Sequence, residues 1–257
     1  MMLEPFQYAL GAFSGTLVGF TLGLVGGGGS ILAVPLIVYL VGVKNPHLAI
    51  GTSAFAVAVN AALGLGNHAR LGNVNWRCGG AYASAGIIGA FAGSTIGKNI
   101  DGEKLLLLFA LVMMAVGALM LRRKDNDLAD HVACERQNIP KVLGFGLLTG
   151  IFSGFFGIGG GFLIVPGLVA ATGMAMIHAV GTSLVAITAF GLTTAINYAV
   201  SGLVDWGLAG AFIAGGTLGS WLGSKAATRL AAHKGLLNRL FALLIFAVAI
   251  YMIMRSV

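Results

Sequence analysis

The stretch Gly26-Gly27-Gly28-Gly29-Ser30, followed by Pro35, returns 131 positions later as Gly157-Ile158-Gly159-Gly160-Gly161, followed by Pro166. Each copy interrupts a long apolar run, so the glycines predict a helix break inside a hydrophobic segment. Paired breaks at equivalent positions of two halves are typical of membrane proteins built from repeats, whose binding sites are formed by such discontinuous helices. The two breaks are therefore the first place to look for a ligand.

Composition predicts that the chain lies in a lipid bilayer. Apolar residues make up 58% of the chain and charged residues 9%, and the mean hydropathy is +0.94. Soluble domains carry about 25% charged residues. The 41 glycines fit membrane helices, which use small residues to approach each other closely. The net charge of +7 comes from basic residues in short loops, as membrane orientation requires, and does not indicate a nucleic-acid partner.

The second half of the chain repeats the first well beyond the glycines. Gly51-Thr52-Ser53 returns 130 positions later as Gly181-Thr182-Ser183, and the pattern Asn-x-Ala-x-x-Gly-x-Val-x-Trp occurs over 67–76 and again over 197–206. An ordered series of matches at nearly one offset indicates an internal duplication.

Five apolar segments fill each half. They cover about 6–25, 30–43, 48–66, 76–97 and 104–122 in the first half, and about 142–157, 161–174, 177–200, 206–224 and 236–254 in the second. The sequence therefore predicts an all-α polytopic membrane protein with a transmembrane repeat over 1–121, a linker over 122–141 and a second repeat over 142–257. The Gly-rich break separates the first and second segments of each repeat. The second segments are shorter than the roughly 20 residues that span a bilayer, so each is a tilted helix or one arm of a re-entrant hairpin.

Positive charge predicts the orientation. With ten crossings and a cytoplasmic linker, eleven of the fifteen Lys and Arg residues lie inside, whereas eight do if each broken pair crosses once. Because Lys and Arg accumulate on the cytoplasmic side, the ten-segment count is favoured. Both termini then lie outside, and an odd number of segments makes the two repeats inverted.

The breaks also suggest what kind of ligand binds. A helix start exposes unpaired N–H groups and about half a positive charge, and glycine lets the backbone approach a ligand. We therefore expect an anion-binding nest at each break, with the two nests converging near the midplane. The predicted substrate-binding residues are Gly27, Gly28, Gly29, Ser30, Thr52, Ser53, Asn67, Gly159, Gly160, Gly161, Thr182, Ser183 and Asn197.

A structural role is the alternative for each of these groups. Glycines permit close packing, membrane Ser and Thr hydroxyls satisfy a carbonyl one turn back, and helix-ending amides act as caps. Asn60, which is polar within an apolar segment, is expected to make an interhelical hydrogen bond.

The sequence shows no arrangement of residues that would be expected to catalyse a reaction. The carboxylates lie in loops, no nucleophile arrangement repeats, and the stretch 26–30 lacks the Lys of a phosphate-binding loop. The two cysteines show no metal-ligand spacing. We expect no catalytic residues, no metal and no cofactor.

The duplicated break followed by proline, with the Gly-Thr-Ser and Asn…Gly…Trp blocks, resembles the TauE/SafE family of sulfite and organosulfonate exporters. The resemblance covers about 10–122 and 142–254. It implies a permease of the bacterial inner membrane that moves a small sulfite-like or sulfonate-like anion. The first copy of the break ends in Ser30 where the second ends in Gly161, which adds a hydroxyl to one side.

The residues and the resemblance together predict a secondary transporter that works by alternating access. An inside-negative potential favours outward movement of a monoanion by about 2.3 kcal/mol per 100 mV, which tilts the prediction towards export or facilitated flow. The alternatives are an anion channel, a membrane scaffold without transport activity or an enzyme on lipid substrates, and a cation site made of exposed carbonyls. The expected partners are the anion and the bilayer, with a homodimer as one assembly.

Overall fold

The computed structural model describes residues 4–25, 27–122, 138–157, 161–229 and 234–256, and every regular element within them is helical. The elements are α1 (Pro5–Val25), α2 (a 3-10 turn Gly27–Leu32, an α turn Ala33–Pro35 and a π turn Leu36–Leu40), α3 (Pro46–Arg70), α4 (Trp76–Lys98), α5 (Gly102–Arg122), α6 (Ile139–Phe156), α7 (Gly161–Thr172), α8 (Met176–Ala199), α9 (Trp206–Arg229) and α10 (Lys234–Ser256). The predicted all-α fold is confirmed. Most of the predicted linker, 123–137, lies outside the described residues.

Several of these helices suit a bilayer by length and composition. Helices α3, α6 and α8 are each at least 18 residues long and apolar enough to span one, and 28–40, 161–172 and 243–255 are shorter apolar helices. In their most apolar windows, α3 and α8 are 61% buried against 39% for α6. The two Gly-Thr-Ser helices therefore form the centre of the bundle.

The duplicated Asn…Gly…Trp block forms the turn that precedes α4 and α9. Gly72 and Gly202 have φ values of +71° and +70°, a left-handed conformation that glycine adopts without strain. In both turns the next residue donates its N–H to the carbonyl five residues back, at 3.0 Å, which closes the preceding helix. Asn75 and Asp205 then cap the next helix, each accepting the N–H three residues on, at 3.0 and 2.9 Å.

Glycines bring two pairs of helices from different halves into backbone contact. A Cβ added at most of these glycines would overlap a backbone carbonyl of the partner helix, so nothing larger fits there, whereas a Cβ at Gly11 would overlap only the flexible end of the Leu208 side chain. In each pair the contacts advance in the same order along both helices, so α1 runs parallel to α9 and α4 runs parallel to α6. The contacting pairs are Gly11 with Leu208, Gly15 with Phe212, Gly19 with Gly216, Tyr82 with Gly146, Gly86 with Gly150 and Ala90 with Gly154.

The central helices α3 and α8 pack in opposite directions. Gly51 near the start of α3 meets Tyr198 near the end of α8, whereas Gly64 near the end of α3 meets Leu184 near the start of α8. Helix α5 packs against α10 in the same exchange of partners between halves. Each half is therefore held mainly by helices of the other half.

We predict that Gly150→Ala destabilises the protein and that Gly144→Ala, in the same helix, does not. A Cβ at Gly150 would overlap the Gly86 backbone, whereas a Cβ at Gly144 meets nothing within 4 Å. Overpacking costs about 1–3 kcal/mol, and alanine has the better helix propensity at the open position. Thermal unfolding of the purified protein, followed by tryptophan fluorescence, measures both variants. Equal unfolding temperatures would show that the α4–α6 contact tolerates a methyl group.

Candidate functional site

The first break is compact. Helix α1 ends at Val25 and the 3-10 turn begins at Gly27, with Gly28 half-buried and Gly29 and Ser30 buried. A Cβ at Gly29 would overlap the backbone of Leu22 in the last turn of α1. The chain thus folds back directly on α1, and the 3-10 turn packs against α7 and α8 of the other half.

The second break lies against the start of α3. Gly157 ends α6 with φ +67°, and a Cβ there would overlap the Ile50 side chain. Its carbonyl accepts a long hydrogen bond of 3.5 Å from the Ser53 hydroxyl. Gly161, the first residue of α7, is buried, whereas Gly159 and Gly160 lie outside the described residues. This break therefore contacts the Gly-Thr-Ser motif of the first half.

The predicted convergence of the two breaks near the midplane stays a prediction, because Gly159 and Gly160 lie outside the described residues. Among the described residues, Gly157 contacts Ile50 near the start of α3, and Gly29 contacts Leu22 near the end of α1. The first 3-10 turn also packs against α7, the helix that follows the second break. Helices α1 and α6 run in opposite directions, so the α1–α2 and α6–α7 hairpins approach the centre from opposite ends of the bundle.

The two Gly-Thr-Ser motifs bind each other's half of the chain. The Thr52 hydroxyl accepts the N–H of Asp205 at 2.9 Å, and the Thr182 hydroxyl accepts the N–H of Asn75 at 3.0 Å. The glycine before each threonine allows this, because a Cβ there would overlap a carbonyl of the same opposing turn. We call this pair of contacts the threonine lock. The hydroxyl hydrogens of both threonines have no acceptor within the described ranges and so can still donate.

The serines of the motifs are already engaged as donors. The Ser53 hydroxyl donates to the Ile50 carbonyl at 3.0 Å, and the Ser183 hydroxyl donates to the Val180 carbonyl at 2.7 Å. A ligand oxygen would have to displace these local bonds, which is the structural alternative considered for membrane serines.

The duplicated asparagines have different surroundings. Asn67 is exposed at the end of α3. Asn197 is half-buried and donates to the hydroxyls of Ser94 and Thr95 at 2.6 and 3.0 Å. Its side-chain oxygen and its carbonyl accept from the Lys98 ammonium at 2.8 and 2.9 Å. Sequence reasoning missed Lys98, because a lysine at a segment end looks like an ordinary loop charge.

Some buried polar atoms have no hydrogen-bond partner in the described part of the chain. Both side-chain polar atoms of Asn60 are among them, and the carboxamide lies against Gly216 of α9. The interhelical hydrogen bond expected for Asn60 is not made to any of the described residues. The hydroxyls of Ser153 and Thr194, which sequence reasoning did not single out, are also unpaired and only 1% exposed.

Two apolar cavities lie away from the predicted site. One of about 530 Å³ lies between α4, α5 and α6 and includes Leu108 and Phe152, and one of about 250 Å³ lies between α2 and α10 and includes Tyr39 and Tyr251. Neither is lined by the glycines of the breaks or by the Gly-Thr-Ser motifs.

Comparison with known proteins decides the family. The family described as sulfite exporter TauE/SafE matches residues 11–252. This chain belongs to that family. The family consists of membrane transporters, so the TauE/SafE resemblance and the predicted class of protein, a membrane transporter, are confirmed.

The similar proteins carry matching names. A probable membrane transporter protein of Xylella fastidiosa (strain Temecula1) is 57% identical over 244 residues, which cover 95% of this chain and 94% of that protein. One of Bacillus subtilis is 28% identical over 81% of this chain and 86% of its own length, and one of Methanocaldococcus jannaschii is 31% identical over 60% of each chain. No solved structure matches this TauE/SafE chain.

We predict that Thr52→Val and Thr182→Val each lower the stability of this TauE/SafE protein. Valine keeps the shape of threonine but removes the acceptor of the N–H of Asp205 or Asn75, which are half-buried, at a cost of about 0.5–1.5 kcal/mol. Thr193→Val is the control, because the Thr193 hydroxyl donates only within its own helix, to the Ala189 carbonyl at 2.8 Å. Chemical unfolding of the three variants gives the comparison. Wild-type stability of both lock variants would mean that the threonine lock does not hold the halves together.

Proposed function

We propose that this chain is a secondary transporter of the inner membrane that exports a small anion, sulfite or an organosulfonate, by alternating access. The proposal depends on one observation: the main helix contacts from the first half to the second have equivalent contacts from the second half to the first. Equivalent contacts lie at opposite ends of the bundle, as alternating access requires. Family membership supports the anion class.

The contact pattern supports two inverted repeats. The threonine lock pairs Thr52 with residue 205 and Thr182 with residue 75, so exchanging residues 130 positions apart converts one contact into the other. The same exchange turns α3 into α8, and these two helices are antiparallel. A two-fold axis that reverses a helix is perpendicular to that helix, and so lies in the plane of the membrane when the helices span it. Five membrane-crossing segments in each half, ten in all, give the two halves opposite orientations in the membrane, as such an axis requires.

The two oppositely directed hairpins support an access point at each end. The 3-10 turn Gly27–Leu32 of one hairpin packs on the second-half helices α7 and α8, and Gly157 of the other break lies next to the first-half Gly-Thr-Ser motif. We assign substrate contacts, as the substrate passes between the ends, to Gly27, Gly28, Gly29, Ser30, Thr52, Ser53, Asn67, Gly159, Gly160, Gly161, Thr182, Ser183 and Asn197. Small rotations of one half against the other would open one tip while closing its equivalent, which is how inverted repeats produce alternating access.

The charges of the described residues favour an anion. Of their four carboxylates, Glu4, Asp101 and Glu103 are exposed and Asp205 is half-exposed at the start of α9. The Lys98 ammonium, by contrast, is half-buried beside the end of α8. A cation would meet no buried carboxylate in this part of the chain, whereas an anion near the second break would be attracted by Lys98.

We expect purified protein in liposomes to exchange labelled sulfite for unlabelled sulfite. Vesicles loaded with unlabelled sulfite will accumulate the label transiently, because a carrier returns across the membrane with either isotope bound. Sulfoacetate inside the vesicles will support the same uptake if organosulfonates share the site. Protein-free vesicles are the control. Flux that rises linearly with concentration and needs no internal substrate would instead indicate an anion channel, and absence of any flux would indicate a scaffold.

The proposed orientation is tested separately. With a cytoplasmic linker and external termini, a cysteine placed at 130 in a cysteine-free background will resist a membrane-impermeant maleimide in intact cells. A cysteine at residue 4 will react without cell lysis. The opposite pattern would reverse the orientation and place the second break on the cytoplasmic side.

A further inference from the structure

The hydroxyls of Ser153 and Thr194, like that of Ser14 in α1, depart from the pattern of most hydroxyls in the described helices. Most serine and threonine side chains of the described helices donate to a carbonyl three or four residues back, as Thr188 and Thr193 do at 2.8 Å. Ser153 and Thr194 lie in such helices, are 1% exposed and have no hydrogen-bond partner among the described residues. A buried hydroxyl without a hydrogen bond costs free energy, so each one calls for an explanation such as a bound water or ion.

Thr194 lies between two anchored layers of α8. Phe190, Thr194 and Asn197 are spaced four and three residues apart, so they share one face of the helix. Phe190 packs against Gly86 of α4, and Asn197 bonds Ser94 of the same helix. Thr194 therefore lies at the level of Ala90, midway between those two contacts.

Ser153 reaches the same level from α6. A Cβ at the neighbouring Gly154 would overlap the Ala90 carbonyl, which aligns this turn of α6 with Ala90. Ser153 shares a face with Thr149, one turn earlier, whose hydroxyl bonds the Tyr82 hydroxyl at 2.8 Å and whose methyl group lies next to Gly167 of α7. That face therefore points into the space between α4 and α7, on the side of the second break.

The surroundings of this level suit an anion. One turn further along α8, Asn197 is bound to the Lys98 ammonium at 2.8 Å. One turn further along α6, Gly157 begins the second break. One turn earlier along α8, the stacked rings of Tyr82 and Phe190, with centroids 6.3 Å apart, provide an apolar surface. The hydroxyls of Ser153 and Thr194 thus lie between these rings on one side and the layer that contains Lys98 on the other.

We propose that Ser153 and Thr194 bind the transported oxyanion through their hydroxyl groups, in one site beside the second break. This inference rests on the proposed anion transport and adds where the substrate stops. The first half has no equivalent site, because Leu22 and Gly64 occupy the corresponding positions, 131 and 130 residues earlier. A single site in an otherwise duplicated scaffold gives one anion per transport cycle.

The test uses the full-length protein in lipid nanodiscs, with Ser153→Ala and Thr194→Val as variants and Thr193→Val as the matched control. Sulfite binding is measured by calorimetry, and sulfite exchange is measured in liposomes. We expect about tenfold or greater loss of sulfite affinity for each site variant, since each removes a hydrogen bond to a charged ligand. Thr193→Val will retain wild-type affinity. Thr194→Ser, which keeps the hydroxyl, will retain most of it.

Stability separates this role from a structural one. Replacing an unpaired buried hydroxyl with a methyl group removes a desolvation cost, so Thr194→Val without sulfite will unfold at the same temperature as wild type or higher. Lower stability of Thr194→Val in the absence of the anion would reveal a structural partner and overturn the proposal.

Two further results would also count against the site. Unchanged sulfite affinity in both site variants would mean that the hydroxyls hold only a buried water. Wild-type protein that exchanges sulfite while both site variants exchange it equally fast would overturn the site and leave the transport function intact. Wild-type protein that neither binds nor exchanges sulfite, sulfoacetate or sulfate would overturn the proposed function itself.

Discussion

Backbone-to-backbone contact through glycine is the constraint on which this bundle depends. Helices in lipid gain no hydrophobic free energy by associating with each other, so close packing and hydrogen bonds must hold them together. The α1–α9 and α4–α6 pairs meet this need with rows of glycines whose absent side chains let the carbonyls of the partner helix approach. Because each pair joins one half of the chain to the other, neither half can form its close contacts alone. The central helices α3 and α8 are then held in place by the threonine lock.

This interlocking sets the directions of the two hairpins. The hairpin α1–α2 follows the direction of α9, and the hairpin α6–α7 follows that of α4, so the two approach the centre from opposite ends of the bundle. A ligand moving between the ends would pass the side chains of the central helices, which is where Asn60 and Thr194 lie.

Sequence reasoning predicted the helical membrane fold, the duplication and the family from features that are local or repeated. The Gly-Thr-Ser and Asn…Gly…Trp blocks were recognisable because both halves carry them, but their mutual contact depends on how the halves pack, which no local pattern encodes. The relative position of the two breaks depends on the same packing and stays a prediction, because Gly159 and Gly160 lie outside the described residues. Ser153 and Thr194 gave no signal, because an unpaired hydroxyl and a back-bonded hydroxyl are the same letter in a sequence.

The residues that break the duplication bear most directly on function. A scaffold with equivalent halves can alternate between two states, but it treats both directions alike and contains every binding group twice. Selectivity for one substrate needs groups that occur once. Asn60 faces Gly216 where the equivalent Phe190 faces Gly86, so one half presents a carboxamide where the other presents a ring. Lys98 holds Asn197, whereas its equivalent position is Thr228, so only one asparagine of the pair has a lysine at the matching position. These differences lie on the central helices or beside their ends, and the repeated glycines serve to bring the helices that carry them together.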